Sequence, residues 1–248
     1  MNSLVYTILR YAPSLVSGET INLAAIFYCP STYYREFYAI KNWSRVRSFD
    51  DSVSIPMLRD IILDIGDSLD TMLSGPLDLK QFCAAYHNEL HFSEAITLDD
   101  VDDKQLNEEI EKIKRLYFPM EYSRADRPRQ REQKSFLSRI LKAKNVSYKR
   151  DKDCIGTYNE RIHYDYVFGH FGVKFFNLNK EKITTNTVNS VKAWAWNCYH
   201  NPKIKTIIFF DSANEESPEI KSLINILKAS TDLVFNVHNG FSDLDRVI

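Results

Sequence analysis

The chain has 248 residues, 29.0 kDa, with 44% hydrophobic and 26% charged residues, the composition of a folded globular protein rather than a disordered or fibrous one. Its 32 basic and 33 acidic residues give a formal net charge of -1, which excludes a globally basic protein but not a local cationic patch. Seven glycines are too few for Gly-rich phosphate loops, and no such loop is visible.

In chain order, residues 4–9 and 19–28 read as strands, rich in β-branched and aromatic residues. Ala12 to Gly18 supplies the turn between them. A third aromatic strand is expected from Tyr33 to Ile40. From Pro56 the period changes, and Leu58, Ile61, Ile62, Ile65 and Leu69 fall on one helical face. Asp78 stands at an N-cap for a second helix carrying Leu79, Phe82 and Tyr86. A third helix is expected over Asp102 to Leu116, with Leu106, Ile110 and Ile113 as its stripe.

Charge then changes sign. Residues 94–112 hold eight carboxylates against Lys104 and Lys112, a net of -6; residues 124–150 hold ten Lys or Arg against Asp126 and Glu132, a net of +8. The polar, Pro-containing stretch between places a boundary near residue 122, giving domains 1–122 and 123–248. The second half reads as a helix over 131–144, strands near 146–149, 161–168 and 171–178, and a helix from Thr187 to Tyr199. An apolar strand follows from Lys205 to Phe210, then a helix from Glu219 to Ala229 and a strand from Leu233 to Val237. The expected class is α/β: an α+β first domain and a mixed sheet flanked by helices in the second.

Cys29, Cys83, Cys154 and Cys198 are scattered, with no Cys-x-x-Cys pair, the pattern of free thiols in a reducing compartment. Met1-Asn2-Ser3-Leu4 lacks a basic n-region, and the longest apolar run, Leu23 to Cys29, is far short of the roughly 20 residues that cross a bilayer. A cytoplasmic protein without membrane contact is expected.

Tyr6, Arg10, Tyr11, Pro13, Gly18, Glu19 and Asn22 spell Arg-Tyr-x-Pro followed by Gly-Glu-x-x-Asn. This opening resembles an uncharacterised bacterial family, a domain of unknown function, over about the first 120 residues. Where that family follows Asn with an apolar residue, Gly and Val, this chain has Leu23-Ala24-Ala25. On the residues alone, Arg10 and Glu19 form a charge pair across neighbouring strands, and Asn22 satisfies loop backbone groups.

The second half is similar in topology to the restriction-endonuclease-like fold, whose core runs helix, three strands, helix, strand. That resemblance implies an Asp on the second core strand and Glu-x-Lys on the third, holding a divalent metal that activates water. The matching positions are Asp165 and Lys174; the Glu position is Gly172. If the site were active, Asp165, Lys174 and Glu160 would carry it with Mg²⁺, Glu160 or Glu132 moving in as the missing acid. With one carboxylate left, the expectation is a degenerate, inactive copy that needs no cofactor.

Four other patterns stand out in the sequence. His87-Asn88-Glu89-Leu90-His91 would put two His on one face of a helix, but the Glu is misplaced for a metalloprotease and no third ligand is evident. His163 and His170 flank Asp165 and either tune it or end strands. No Gly-x-Ser-x-Gly elbow supports Ser-His-Asp chemistry. Trp194 and Trp196 resemble a stacking platform, but their helical spacing reads as core or interface.

Arg124, Arg127, Arg129, Arg131 and Lys134, continuing through Arg139, Lys142 and Lys144, form a cationic run suited to phosphate contacts; the alternative is docking on the acidic 94–112 segment. Paired arrangements of this kind resemble accessory subunits of bacterial defence systems against phage or plasmids. The expectation is an accessory, non-catalytic subunit working beside a larger ATPase or nuclease of the same operon, with DNA as a further partner. The alternatives are an active divalent-metal-dependent DNase and a pure protein-interaction module.

Overall fold

The computed structural model describes residues 2–14, 19–71, 76–123, 125–178, 183–201, 203–212, 217–231, 233–241 and 244, with backbone alone at 239 and 240. Leu15 to Gly18 of the opening motif and Arg124 of the cationic run lie outside the described residues. The chain forms two compact units, Met1–Pro128 and Arg129–Ile248; the sequence places the boundary six residues earlier, in the polar stretch before it.

The first unit is built on an antiparallel sheet. Strand β1 (Asn2–Tyr11) is central. It pairs with β2 (Ile21–Cys29), which pairs with β3 (Tyr34–Ala39). Along its other edge β1 meets two short strands in turn, β4 (Leu90–Phe92) at Leu9–Tyr11 and β5 (Ile96–Val101) at Asn2–Tyr6. Every residue of β2 is buried, and a strand reads as an unbroken apolar run when both faces of its sheet are covered.

One face is covered by α1 (Ser44–Phe49), α2 (Ile55–Thr71) and α3 (Leu79–Ala84), which bring Val46, Leu58, Ile62, Ile65, Leu69 and Phe82 against Leu9, Leu23 and Ile26. The Asp78 side chain caps α3 by accepting from the Gln81 N–H at 2.9 Å. Gly66 lets α2 approach β3, since a Cβ there would lie 2.8 Å from the Phe37 ring. The other face is met by α4 (Leu106–Tyr117), whose Tyr117 ring lies 5.9 Å from that of Tyr6.

In the second unit, α5 (Gln130–Ala143) leads into β6 (Lys149–Ile155), β7 (Arg161–Phe168) and β8 (Phe171–Asn177), then α6 (Thr185–His200), β9 (Lys205–Asp211), α7 (Pro218–Lys228), β10 (Val234–Asn236) and the short α8 (Val237–Gly240). The sheet order is β10-β9-β8-β7-β6. Strands β6, β7 and β8 run antiparallel to one another in turn; β9 lies parallel to β8, and β10 parallel to β9. Helices α6 and α7 pack Val191, Trp194, Leu223 and Leu227 on Tyr164, Phe176, Ile208 and Phe210. On the opposite face Phe241 packs its ring against Phe175 and Phe209 and meets Phe136 of α5 edge-on.

Strand β6 begins at Lys149, where the sequence reading of 146–149 ends. Its residues Lys149 to Asp153 are all exposed, so it carries no apolar alternation to read. Charge along an edge strand opposes pairing with other chains. Among the described residues no helix is long and apolar enough to cross a membrane.

Candidate functional site

Asp165 sits in β7 between the buried rings of Tyr164 and Tyr166. The β7–β8 ladder covers Tyr166–Phe168 against Phe171–Val173. Just beyond its end the Asp165 carboxylate takes the place of a backbone acceptor: Oδ2 accepts from the Phe175 N–H at 2.8 Å. Its other oxygen, Oδ1, lies 2.5 Å from Nζ of Lys134, which reaches in from the second turn of α5. The Lys134 ammonium is also 6.0 Å from the Phe175 ring centroid. Lys174 Nζ is 3.8 Å from Oδ2, donates to the His163 carbonyl at 3.4 Å and lies over the Trp194 ring.

Asp165 and Lys174 are therefore brought together, and the carboxylate is bracketed by two ammonium groups and a backbone N–H. Glu160 is not part of this group. It sits at the β6–β7 turn, about 16 Å along the strand at ~3.3 Å per residue, where Oε2 accepts from the Tyr158 N–H at 2.8 Å. Glu132 is likewise engaged elsewhere, accepting from the Arg129 N–H at 2.7 Å at the start of α5.

The position where the resemblance calls for an acid, Gly172, has no room for a side chain. A Cβ there would lie 2.4 Å from both Cδ1 and Cε1 of Tyr164. That ring is fully buried and meets Trp194 edge-on at 5.2 Å. Hydrolytic Mg²⁺ is usually held by carboxylates plus substrate oxygens. Here one buried carboxylate, already neutralised by Lys134, faces a filled gap, and these residues do not fit a Mg²⁺ site.

The same carboxylate also faces a grouping that spans β7 and the edge strand β6. His163 Nδ1 is 2.9 Å from Asp153 Oδ1 and its Nε2 is 3.8 Å from Asp151 Oδ1. Asp151, His163 and Asp165 can each offer an atom within 4.8 Å of the others. Asp151 and Asp153 escaped the sequence reading because β6 was placed too early; their spacing of two, matching that of His163 and Asp165, is the signal that pairs them across a strand. His163 thus lies inside β7, whereas His170 occupies the β7–β8 turn against Phe171.

The cationic run divides by environment. Arg129 and Arg131 are exposed at the start of α5, Arg127 is half-buried, and Lys134 is turned onto Asp165. Arg150 donates to Ser138 Oγ at 2.6 Å and lies over the Tyr148 and Tyr166 rings. In the acidic segment, Lys112 pairs with Glu108 and Glu109, and Lys114 with Glu111 and Glu36.

In the first unit the helical reading of His87 and His91 is overturned. They face each other across an antiparallel bridge, and each ring nitrogen Nδ1 lies 3.3 Å from a carbonyl three residues back, Ala84 and Asn88. The turn they form is held to β1 by the Ala12 N–H donating to the Glu89 carbonyl. Asn22 does more than serve its own loop: Nδ2 donates to the Tyr117 carbonyl at 3.1 Å, tying β2 to the end of α4. Arg10 is buried in β1, between Asn22 on β2 and His91 on β4.

No curated protein and no solved structure matches this chain. Residues 6–91, which hold the whole opening motif, all of β2 and β3 and most of β1 and β4, match a family described as a protein of unknown function (DUF3037). The first unit therefore contains an N-terminal domain of that similarity.

Proposed function

We propose that this chain is an accessory, non-catalytic subunit of a bacterial defence complex directed at phage or plasmids, in which the second unit serves as a binding module. The observation that carries the non-catalytic part is the state of Asp165. Its carboxylate is held by Lys134 and the Phe175 N–H, and Gly172 is walled off by Tyr164, so the acid that the nuclease pattern calls for on β8 is absent. The order helix, three strands, helix, strand supports a restriction-endonuclease-like scaffold for this unit. The defence assignment rests on analogy at the level of that fold. The exposed Arg129 and Arg131 at the positive end of α5 support contact with phosphates. The reading places the protein in the cytoplasm beside a larger ATPase or nuclease subunit.

The test is direct. Purified protein with Mg²⁺ or Mn²⁺ leaves plasmid and single-stranded DNA intact, and expression from the native operon recovers a larger subunit in defined ratio. Cleavage that disappears in Asp165→Ala and Lys174→Ala overturns the reading, as does recovery of a free monomer alone. One observation favours a second reading, a metal-dependent DNase: the Asp151, His163 and Asp165 group. It predicts Mn²⁺ binding by calorimetry that is lost in His163→Ala.

A further inference from the structure

Helix α6 presents two unlike sides. Val191 and Trp194 are buried against the sheet. Trp196, two residues further on, lies about 200° around the helix and is 56% exposed. Its ring stacks on His200 with centroids 3.7 Å apart and planes at 27°; His200 Nδ1 also lies 3.0 Å from the Trp196 carbonyl. Tyr199, 75% exposed, meets the same imidazole edge-on at 5.0 Å. A fourth ring arrives from another element: Tyr158, at the tip of the β6–β7 turn and 64% exposed, lies 6.1 Å from His200. The Thr157 hydroxyl donates to the His200 carbonyl, fastening that turn to the end of α6. Ile155 adds an exposed aliphatic side chain at the end of β6.

Three exposed aromatic rings gathered on one imidazole form a surface that marks a binding site. The charge along α6 and the loop after it is positive. Residues 183–204 carry Lys192 and Lys203 and no Asp or Glu, and both lysines are exposed. Lys192 is one turn before Trp196, on the same side of the helix. The one carboxylate in the Tyr158 turn, Glu160, accepts from the Tyr158 N–H. Aromatic faces that accept bases, set among cations that follow a phosphate backbone, are the chemistry of single-strand recognition.

We infer that the Trp196–Tyr199–His200–Tyr158 cluster is a stacking platform for single-stranded nucleic acid, with Lys192 and Lys203 as its phosphate contacts. This deepens the reading of the second unit as a binding module, on which it rests. It uses the α6 side of the sheet, opposite the α5 side that carries Arg129, Arg131 and Lys134. A duplex fits the platform poorly because its bases are already stacked on one another.

The experiment uses the full chain with 12-nucleotide oligothymidylate and oligouridylate, followed by anisotropy and by tryptophan fluorescence. Trp43 and Trp194 are buried, so quenching on binding reports Trp196. Both single strands bind, more tightly than a duplex of equal length and more weakly as salt rises. The thymidylate and uridylate arms tell whether the 2′-hydroxyl matters. Trp196→Ala weakens binding by about 5- to 150-fold, the range for loss of one stacked base. Trp196→Phe keeps binding within a few fold but loses the quenching signal, and melting curves show both variants folded. No single-strand binding by the wild type, equal affinity in Trp196→Ala, or binding lost only in Arg129→Ala/Arg131→Ala overturns the platform. Loss of partner co-purification in Trp196→Ala without any oligonucleotide binding also overturns it, in favour of a protein interface. DNA cleavage bears on the non-catalytic reading instead, so the two can fail separately.

Discussion

Replacing Gly172 by Ala tests whether the missing acid is a structural necessity of this unit. An added Cβ would meet Cδ1 and Cε1 of Tyr164 at 2.4 Å and Cγ at 2.9 Å. These atoms belong to the body of the ring, not to a flexible tip. The ring has little freedom to yield, because it is fully buried, lies edge-on to Trp194 and has its hydroxyl 3.2 Å from Thr206 Oγ1. Overpacking of this kind costs about 1–3 kcal/mol. Removing a strand glycine returns up to ~1 kcal/mol by stiffening the unfolded chain. The net expectation is destabilisation by about 1–2 kcal/mol, a melting-temperature fall of roughly 2–8 °C for a protein of this size. Gly172→Glu adds a carboxylate to a dry site and loses more. Combining Gly172→Ala with Tyr164→Leu separates the clash from other effects: the pair should be less destabilised than the sum of the single changes by at least about 1 kcal/mol. Thermal and urea melts give all of these values. A Gly172→Ala protein as stable as the wild type, or more so, refutes the reasoning.

Further outcomes follow from the same contacts. Lys134→Met leaves the buried Asp165 carboxylate with the Phe175 N–H and the more distant Lys174, at a cost of about 1–3 kcal/mol; adding Asp165→Asn should restore most of that in a urea melt, and an unchanged single variant would count against the pair. Asn22→Ala removes the donor to the Tyr117 carbonyl and should lower stability by about 1–2 kcal/mol, whereas a purely loop-local role predicts a loss of a few tenths. Burial pushes the Glu111 carboxyl up, but the hydrogen bonds and charge of Lys114, with the Tyr122 hydroxyl, outweigh it and hold the group below its ordinary value. A carboxyl depressed in the folded state contributes stability above its unfolded pKa, about 4.3, and loses it as pH falls through the folded one. The gap between wild type and Glu111→Gln, under about 1 kcal/mol because Glu111 is half exposed, should therefore be present at pH 7 and shrink as the pH falls below the ordinary carboxyl range.

Much of the architecture is written locally. The stripe Leu58, Ile62, Ile65 and Leu69, the Asp78 cap and the unbroken apolar runs of β2 and β9 each combine a period with a boundary residue, and each forms the expected element. The acidic segment hides β5, whose buried Ile96, Leu98 and Val101 are separated by exposed polar residues. Three-residue β4 and mostly charged β6 have no apolar period of their own; they are strands because β1 and β7 supply the other half of each ladder. The spacing of His87 and His91 fits a helix turn and a tight bridge equally, and the Ala12–Glu89 hydrogen bond selects the bridge.

Composition, periodicity and capping chemistry thus determined that this chain makes two α/β units and where most helices and central strands lie, because those signals act over a few residues. Only the tertiary structure decided what the chemically suggestive residues do. Lys134 reaches Asp165 across 31 positions, Asn22 reaches the end of α4 across 95, and the Tyr164 ring fills the space at Gly172. Two tryptophans separated by one residue are turned to opposite sides of α6, one into the core and one into water. Those outcomes depend on which faces meet once the sheets are assembled, and burial of one face or another is a property of the whole fold.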